Sequence, residues 1–448
     1  MVLEQQSMVD LVDAIKILDK SFDSLPDFTP DADTDVDAIR SILNQVAEKM
    51  QDNYPYAHPM YAGQMLKPPH KLARLAYTLA MFVNPNNHAL DGGRASSAME
   101  KEVIRDIADM YGWRDSHLGH LTSGGTMANL EALWVSERIH PGKTILASKL
   151  SHYTHSRITE VLKIPFQSVA VDKIGCMDLV DLEHQLKTHD VGTIVVTLST
   201  TGVGSVDPLP EILELQKQYG FRIHIDAAYG GYFRLASNLS EPALSAFSLM
   251  QEADSIVVDP HKCGLQPYGC GCILFRDPSV GQFYSHDSPY TYFSSDELHL
   301  GEISLECSRA GASAVALWAT MKLLPLEYGG QFANEIESTI VAAEKLYHKI
   351  CHDQNQLAVF APQTNIVIWA PKADKGSVIS QLSQRRFEQA EQQGLYLATI
   401  KLDSCMLQLH WPEVEFDVPY VTCLRSCLMK AEHIDWVDRI WHIYSGLT

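Results

Sequence analysis

Positive charge is scarce in this chain. Lysine and arginine number 35 against 55 aspartates and glutamates, for a formal net charge of −20. Nucleic acid and anionic membrane surfaces would repel so acidic a protein, so neither is expected as a partner. Long hydrophobic runs are missing too. No stretch approaches the ~18 uncharged apolar residues of a membrane-spanning helix, and Met1-Val2-Leu3-Glu4-Gln5-Gln6 lacks the basic-then-apolar pattern of a signal peptide. The nine cysteines are an odd number and scattered, with close pairs at Cys270/Cys272 and Cys423/Cys427. Neither pair has companion histidines at zinc spacing, so both read as reduced core thiols and no metal is expected. Internal repeats and low-complexity segments are absent. What remains is an ordinary globular composition, 46% hydrophobic and 20% charged, in a chain of 448 residues. That length allows two or three domains and a large core, and the whole points to a cytoplasmic protein.

Helical spacing at Leu11, Ala14, Ile15 and Leu18 predicts a first helix, and a second is expected over 35–50 with Ile39, Ile42, Leu43 and Val46 on one stripe. A third is expected over 69–82. With few strand candidates, residues 1–90 should pack on the body of the fold or on another subunit. From about residue 98 helix and strand alternate. Helices are expected over 98–111, 126–138, 157–162, 179–187, 209–219 and 240–251. Strands are expected over 144–147, 169–171, 193–198, 222–226, 255–258 and 271–275. These strands are short, apolar and β-branched rather than alternating, as when helices cover both faces of a mostly parallel sheet. A Ser/Tyr/Asp-rich loop over 278–300 has the character of a functional lid. Helices over 311–324 and 330–351 follow, then strands over 366–369, 396–400 and 406–410 and a helix over 434–444. The expected organisation is an N-terminal segment 1–90, a large α/β domain 91–325 and a small α+β domain 326–448.

Four local patterns bear chemistry. Ile256-Val257-Val258 ends in Asp259-Pro260-His261-Lys262, where proline stops the strand and leaves a lysine just beyond it. Partial burial would lower the pKa of such a lysine toward the nucleophilic amine that a Schiff base needs; a solvated loop lysine is the alternative. Asp226, in His224-Ile225-Asp226-Ala227-Ala228-Tyr229-Gly230-Gly231, closes another strand, where ligands of open α/β sheets sit. It needs a cationic partner such as a pyridinium nitrogen, and the small residues after it leave room for a flat ring; a capping role is the alternative. Ser123-Gly124-Gly125-Thr126 opens a helix, so its backbone N–H groups can hold a phosphate, unless Thr126 is only a cap. No lysine follows as in a Walker loop, and GxGxxG is not matched. His152, in Ser151-His152-Tyr153-Thr154-His155, could stack on a ring or serve as acid or base, or be solvated.

Together these four make an inventory for pyridoxal phosphate, and the chain resembles the fold-type-I enzymes of that cofactor, specifically the group II amino-acid decarboxylases. Ser123-Gly124-Gly125-Thr126 with Asn129, His152-Tyr153-Thr154, and Thr200-Thr201-Gly202-x-Gly204-x-x-Asp207-Pro208-Leu209 carry the resemblance. So do His224-x-Asp226-Ala227-Ala228-Tyr229-Gly230, Asp259-Pro260-His261-Lys262, Ser308-Arg309-x-Gly311 and Leu424-Arg425-x-Cys427, with His58-Pro59 and Met99-Glu100 near the start. Their order agrees from about residue 55 onward, nearest to the archaeal-type tyrosine/aspartate decarboxylases and the glutamate decarboxylases.

The resemblance implies that Lys262 carries the cofactor as a Schiff base and Asp226 pairs with its ring nitrogen. It implies that His152 stacks on the ring with Ala228 on the opposite face, and that Gly125, Thr126 and His261 reach the phosphate. Thr200 or Thr201 would lie near the ring substituents, and Lys262, His152 or a lid tyrosine, Tyr290 or Tyr292, would supply a proton. The implied reaction is loss of carboxylate from an L-amino acid, tyrosine-, aspartate- or glutamate-like, giving an amine and CO₂. The implied assembly is a homodimer with the active site at its interface, and side-chain selectivity is expected near residues 61–64. Carbon–carbon lyases of the sphingosine-phosphate lyase kind share the cofactor residues, and a catalytically silent paralogue is the other alternative; the intact Lys262 and Asp226 oppose the latter. Two departures stand out. Asp259 is an anion where some relatives place a neutral, phosphate-facing residue, and Cys263 replaces a bulky residue, which would widen the pocket.

Overall fold

The computed structural model describes residues 5–26, 35–285 and 299–447. Its larger sheet consists of β1 (Leu118–Thr122), β2 (Thr144–Ser148), β3 (Phe166–Val169), β4 (Val191–Thr197), β5 (Arg222–Asp226), β6 (Ser255–Val258) and β7 (Gly271–Phe275). The seven lie in the order β1-β7-β6-β5-β4-β2-β3. Neighbours from β3 to β6 pair in parallel, while β7 runs antiparallel to both β6 and β1. The fold is therefore α/β with a mostly parallel sheet, as the β-branched runs implied.

Both faces of this sheet are covered. Val195, Ile145, Val257 and Ile273 point to the side packed by the helices Gly125–Ile139 and Thr154–Leu162, with Ala128, Ala132, Leu133 and Ile158. Their sequence neighbours Ile194, Val196, Ile256, Val258 and Leu274 point the other way, into the main core with Ile107, Leu182 and Ile212. The period of two is intact, but both faces are dry, so the strands read as continuous apolar runs. Each such side chain contributes about 1.5–3 kcal/mol on burial. The register sets Thr197 beside Asp226 and Asp226 beside Val257, which aligns the C-terminal ends of β4, β5 and β6 along one edge.

A second, antiparallel sheet holds β8 (Gln356–Ala358), β9 (Ile366–Pro371), β10 (Ala398–Asp403) and β11 (Tyr420–Cys427) in the order β10-β11-β9-β8. The helices Gln331–His352, Gly376–Gln392 and His433–Ser445 accompany it. The segment around Met60–Ala62 joins this sheet, with Ala62 N–H donating to Tyr396 O at 2.9 Å and Cys427 N–H to Ala62 O at 2.8 Å.

Several local expectations change. Residues 406–410 are not a strand. The helix Ser404–Gln408 stands there, with the Asp403 carboxylate accepting from Cys405 N–H at 2.8 Å, a capping interaction that favours a helix start. The strand of that region is β11, its alternate residues Val421 and Cys423 fully buried. β1 has no counterpart among the expected strands, because Gly119 and His120 break its apolar run; β3 ends at Val169 rather than starting there. At the N-terminus the helix Gln5–Asp19 buries Leu11, whereas the helix Val36–Met50 buries no residue and exposes its whole stripe, Ile39, Ile42, Leu43 and Val46. The loop expected over 278–300 begins as a short 3-10 helix, Pro278–Phe283. Most of the rest, with Tyr290 and Tyr292, lies outside the described residues. Among the described residues no helix is long and apolar enough to cross a membrane. Cys270, Cys272, Cys423 and Cys427 are free, buried thiols.

Candidate active site

Five strands deliver residues to one end of the larger sheet, and a cleft of ≈ 280 Å³ opens there. β1 leads to the turn Ser123-Gly124-Gly125-Thr126, β2 to His152, β4 to Ser199 and Thr201, β5 to Asp226 and Ala228, and β6 to Asp259, His261 and Lys262. All of them line the cleft. Carboxyl ends of parallel strands are where α/β folds hold ligands.

Asp226 is buried, and its two oxygens are both engaged. Oδ2 lies 2.8 Å from His155 Nε2, and Oδ1 accepts from Ala228 N–H at 3.1 Å. Burial alone would raise its pKa. The hydrogen bond and charge of His155, the charge of Lys262 and the Ala228 N–H outweigh that and hold the carboxyl well below the usual carboxylate range. His155 is fully buried in the first turn of its helix. The sequence alone assigns it no role, since nothing in the spacing separates it from His152. The His152 ring lines the cleft with its pKa lowered, chiefly by burial, and its Nδ1 accepts from Thr154 N–H at 3.3 Å. It is a neutral flat ring at neutral pH.

The glycine turn is required by geometry. Gly124 has φ +155° and ψ 175°, a conformation essentially restricted to glycine. A Cβ on Gly125 would stand 2.6 Å from Asp259 Oδ2. No side chain caps the helix Gly125–Ile139, so its N-terminal amides and positive end are open to an anion. Ser123 N–H donates to Glu306 at 2.9 Å. Asn129 ties the turn to the sheet, donating to Gly125 O at 2.8 Å and lying 2.8 Å from His224 Nε2, whose Nδ1 is 2.8 Å from Ser255 Oγ. Burial pushes His224 down to about 3, so this run of hydrogen bonds is neutral.

Of the two candidate threonines the cleft receives Thr201. Thr200 is fully buried, its hydroxyl accepting from Ser205 N–H at 3.1 Å, so it shapes the turn instead. Ser199, missed in the sequence, lines the cleft at φ +75°, a left-handed conformation costing about 1–2 kcal/mol outside glycine. It is held by Thr364 at 2.9 Å. Arg425 braces the same turn from the smaller sheet, donating to Thr201 O at 2.7 Å and Gly202 O at 2.9 Å, with Gln64 Oε1 at 3.0 Å.

Lys262 Nζ lies 3.0 Å from Asp259 Oδ2. Burial lowers its pKa as the sequence suggested, but the charges of Asp259 and Asp226 more than reverse this, and the net shift is upward. The expectation of a lysine poised as free amine by burial is thus overturned by its neighbour three residues back. The His261 ring, its pKa lowered by burial, stands 4.9 Å from the Tyr268 ring and leaves Nδ1 buried without a partner. Cys263 points away into the main core, so it does not widen the cleft. Among the described residues no group of His, Cys, Asp and Glu is arranged to hold a metal ion.

An α/β sheet whose carboxyl edge gathers a lysine, an anionic aspartate and an uncapped glycine turn is the arrangement expected of a pyridoxal-phosphate-dependent enzyme. Residues 23–370 match the pyridoxal-dependent decarboxylase conserved domain, and the chain belongs to that family of amino-acid decarboxylases. It is 26% identical over 418 residues to an L-tyrosine decarboxylase of Enterococcus faecium, covering 71% of this chain and 68% of the relative. To an L-aspartate/L-glutamate decarboxylase of Pyrococcus horikoshii it is 27% identical over 334 residues, covering 74% and 84%. Among solved structures, mouse CSAD in apo form superposes with a TM-score of 0.77 at 17% identity, over 99% of this chain and all of that one. Oryza sativa TDC with PLP and tryptamine gives 0.78 at 14% identity, over 99% of both. The enzyme therefore uses pyridoxal phosphate and acts on an amino acid.

Proposed function

We propose that this enzyme removes the α-carboxylate of a tyrosine-, aspartate- or glutamate-like L-amino acid at the cleft, with Lys262 as the residue that carries the cofactor. The observation behind this is that Lys262, the Asp226 carboxylate and the uncapped turn at Gly125–Thr126 face one another across a single cleft. The residues fit the group. The helix end at Gly125 has no side-chain cap, and the buried Nδ1 of His261 lacks a partner, so a phosphate would satisfy both. The bound cofactor supplies an electron-accepting ring for the charge left at Cα when CO₂ departs.

The chain's residues do the rest. Asp226, kept ionised by His155, provides the fixed anion that holds a proton on a ring nitrogen beside it. His152 and Ala228 offer a flat neutral face and a small opposing one, which set the orientation that decides which bond at Cα is weakened. Gly125, Thr126 and His261 hold the phosphate end, and Thr201 lies near the ring substituents. Lys262 or His152, with Tyr290 or Tyr292 as further donors, returns a proton to Cα. Support for a homodimer comes from the exposed stripe of the helix Val36–Met50, which a second copy would cover. A cytoplasmic setting is part of the same reading, in keeping with the free thiols of Cys270, Cys272, Cys423 and Cys427.

The test is CO₂ release from single amino acids by the full chain loaded with pyridoxal phosphate. Release from tyrosine, aspartate or glutamate is expected, and Lys262→Ala should reduce it by roughly three orders of magnitude or more. No release from any of the three would defeat the substrate proposal.

A further inference from the structure

Asp259 has no part in the mechanism above, yet it is 2% exposed and sits at the head of the cleft. A buried carboxylate needs a partner. Oδ2 lies 3.0 Å from Lys262 Nζ and 3.6 Å from His261 Nε2, while Oδ1 is buried with no hydrogen-bond partner. The group is fixed from three sides. Its own N–H donates to Ala228 O at 3.1 Å, its carbonyl accepts from Lys262 N–H at 2.9 Å, and the carboxylate presses on Gly125 so closely that no Cβ fits there. It is thus a rigid anion in contact with the reactive nitrogen, with one oxygen left over.

We propose that Asp259 is the proton partner of Lys262. Its carboxylate anchors the ammonium at the cleft and accepts the proton that Nζ must shed before nitrogen can bond to a carbonyl carbon. This rests on the reading that Lys262 carries the cofactor. An N–H bond breaks at Nζ and an O–H bond forms on Asp259. As the C–N bond forms, that proton passes to the carbonyl oxygen. A second proton from Nζ follows by the same carboxylate, the oxygen leaves as water, nitrogen keeps one hydrogen in the protonated C=N bond, and the carboxylate is regenerated. No oxidant, reductant or further reactant is needed.

Lys262 is also influenced by Asp226, and the Asp259 charge acts on His152 across the cleft, on His261 and Tyr268 further along its own loop, and on Cys270 and Cys272 toward and on β7. Asp259 contributes the larger of the two aspartate charges that raise Lys262.

The experiment uses the full chain freed of cofactor, so its outcome does not depend on the reaction assigned above. Competitive acylation over a range of pH, read by peptide mass spectrometry, gives the titration midpoint of Lys262 with exposed Lys149 as internal reference. The wild-type midpoint of Lys262 should exceed that of Lys149, and Asp259→Asn should lower it by about one pH unit or more. Reductive trapping of a plain aromatic aldehyde on Lys262 should at the same time become slower per neutral amine, by about 10²-fold. Asp259→Glu should recover part of both. An unchanged midpoint in folded Asp259→Asn would overturn the proposal. So would trapping that simply follows the neutral-amine fraction, which would make Asp259 a counter-ion only. Should Asp259→Asn not fold, a wild-type Lys262 midpoint at or below that of Lys149 would overturn it alone. Failure of the cofactor reading shows separately, as a Lys262→Ala protein that still binds pyridoxal phosphate covalently.

Discussion

β5 and β6 are neighbours in the sheet, and each leads to a buried aspartate, but the two carboxylates stand in different situations. Asp226 has both oxygens engaged, by His155 and by Ala228 N–H, and is locked as an anion. Asp259 has one oxygen on Lys262 and one with no hydrogen-bond partner. A closed pair suits a permanent charge, whereas the half-open pair leaves an oxygen available for the proton exchange with Lys262 proposed above. For Asp226 burial alone would push the carboxyl upward, and its partners decide the outcome.

The difference can be broken chemically. The largest effect is expected from Asp226→Asn, which keeps an acceptor for Ala228 N–H but removes the fixed charge. CO₂ release should fall by roughly 10²–10³-fold, the scale of losing one preorganised electrostatic group, while the pH titration of Lys262 moves less than in Asp259→Asn.

His155→Ala comes next and acts through stability. It leaves Asp226 buried without its hydrogen-bond partner, at a cost of about 3–5 kcal/mol, measurable by urea unfolding at pH 7. The sign follows from the depressed carboxyl. Its contribution is present above the unfolded value of about 3.9 and is lost as pH falls through the lower folded value. The gap between wild type and variant should therefore hold at neutral pH and close on acidification below about pH 4. A gap that widened in acid would contradict the pairing.

The smallest effect is expected from Gly125→Ala, whose Cβ must push aside the Asp259 carboxylate. Overpacking should cost about 1–3 kcal/mol, seen as a lower Tm, and Asp259→Asn in the same chain should change less when combined with it than alone, since the two sites touch.

The same two aspartates mark what is legible in the sequence. Lys262 lies three residues from Asp259, so the ion pair is written into one turn. Its electrostatic result is not legible from burial, which points downward for the lysine, whereas the neighbouring charge sends it upward. His155 is 71 residues from Asp226, and only the fold brings the two together. Strands buried on both faces, β4, β5, β6 and β7, fall within a residue or two of expectation, because an uninterrupted β-branched run has few other uses. β1 and β11 escape because glycine, histidine, arginine and serine interrupt them, and residues 406–410 mislead because Met406, Leu407 and Leu409 are too few to fix a period. In the same way Thr200 and Thr201 are alike in sequence, and only the turn through Ser205 buries the Thr200 hydroxyl and leaves Thr201 lining the cleft.

The most direct test of the cleft is chemical. The full chain loaded with pyridoxal phosphate is reduced with borohydride, digested, and its peptides mapped by mass spectrometry. The expected result is a pyridoxyl group on the peptide containing Lys262 and on no other lysine. A pyridoxyl group on a different lysine, with Lys262 unmodified, would contradict the site built from Lys262, Asp226 and the Gly125 turn.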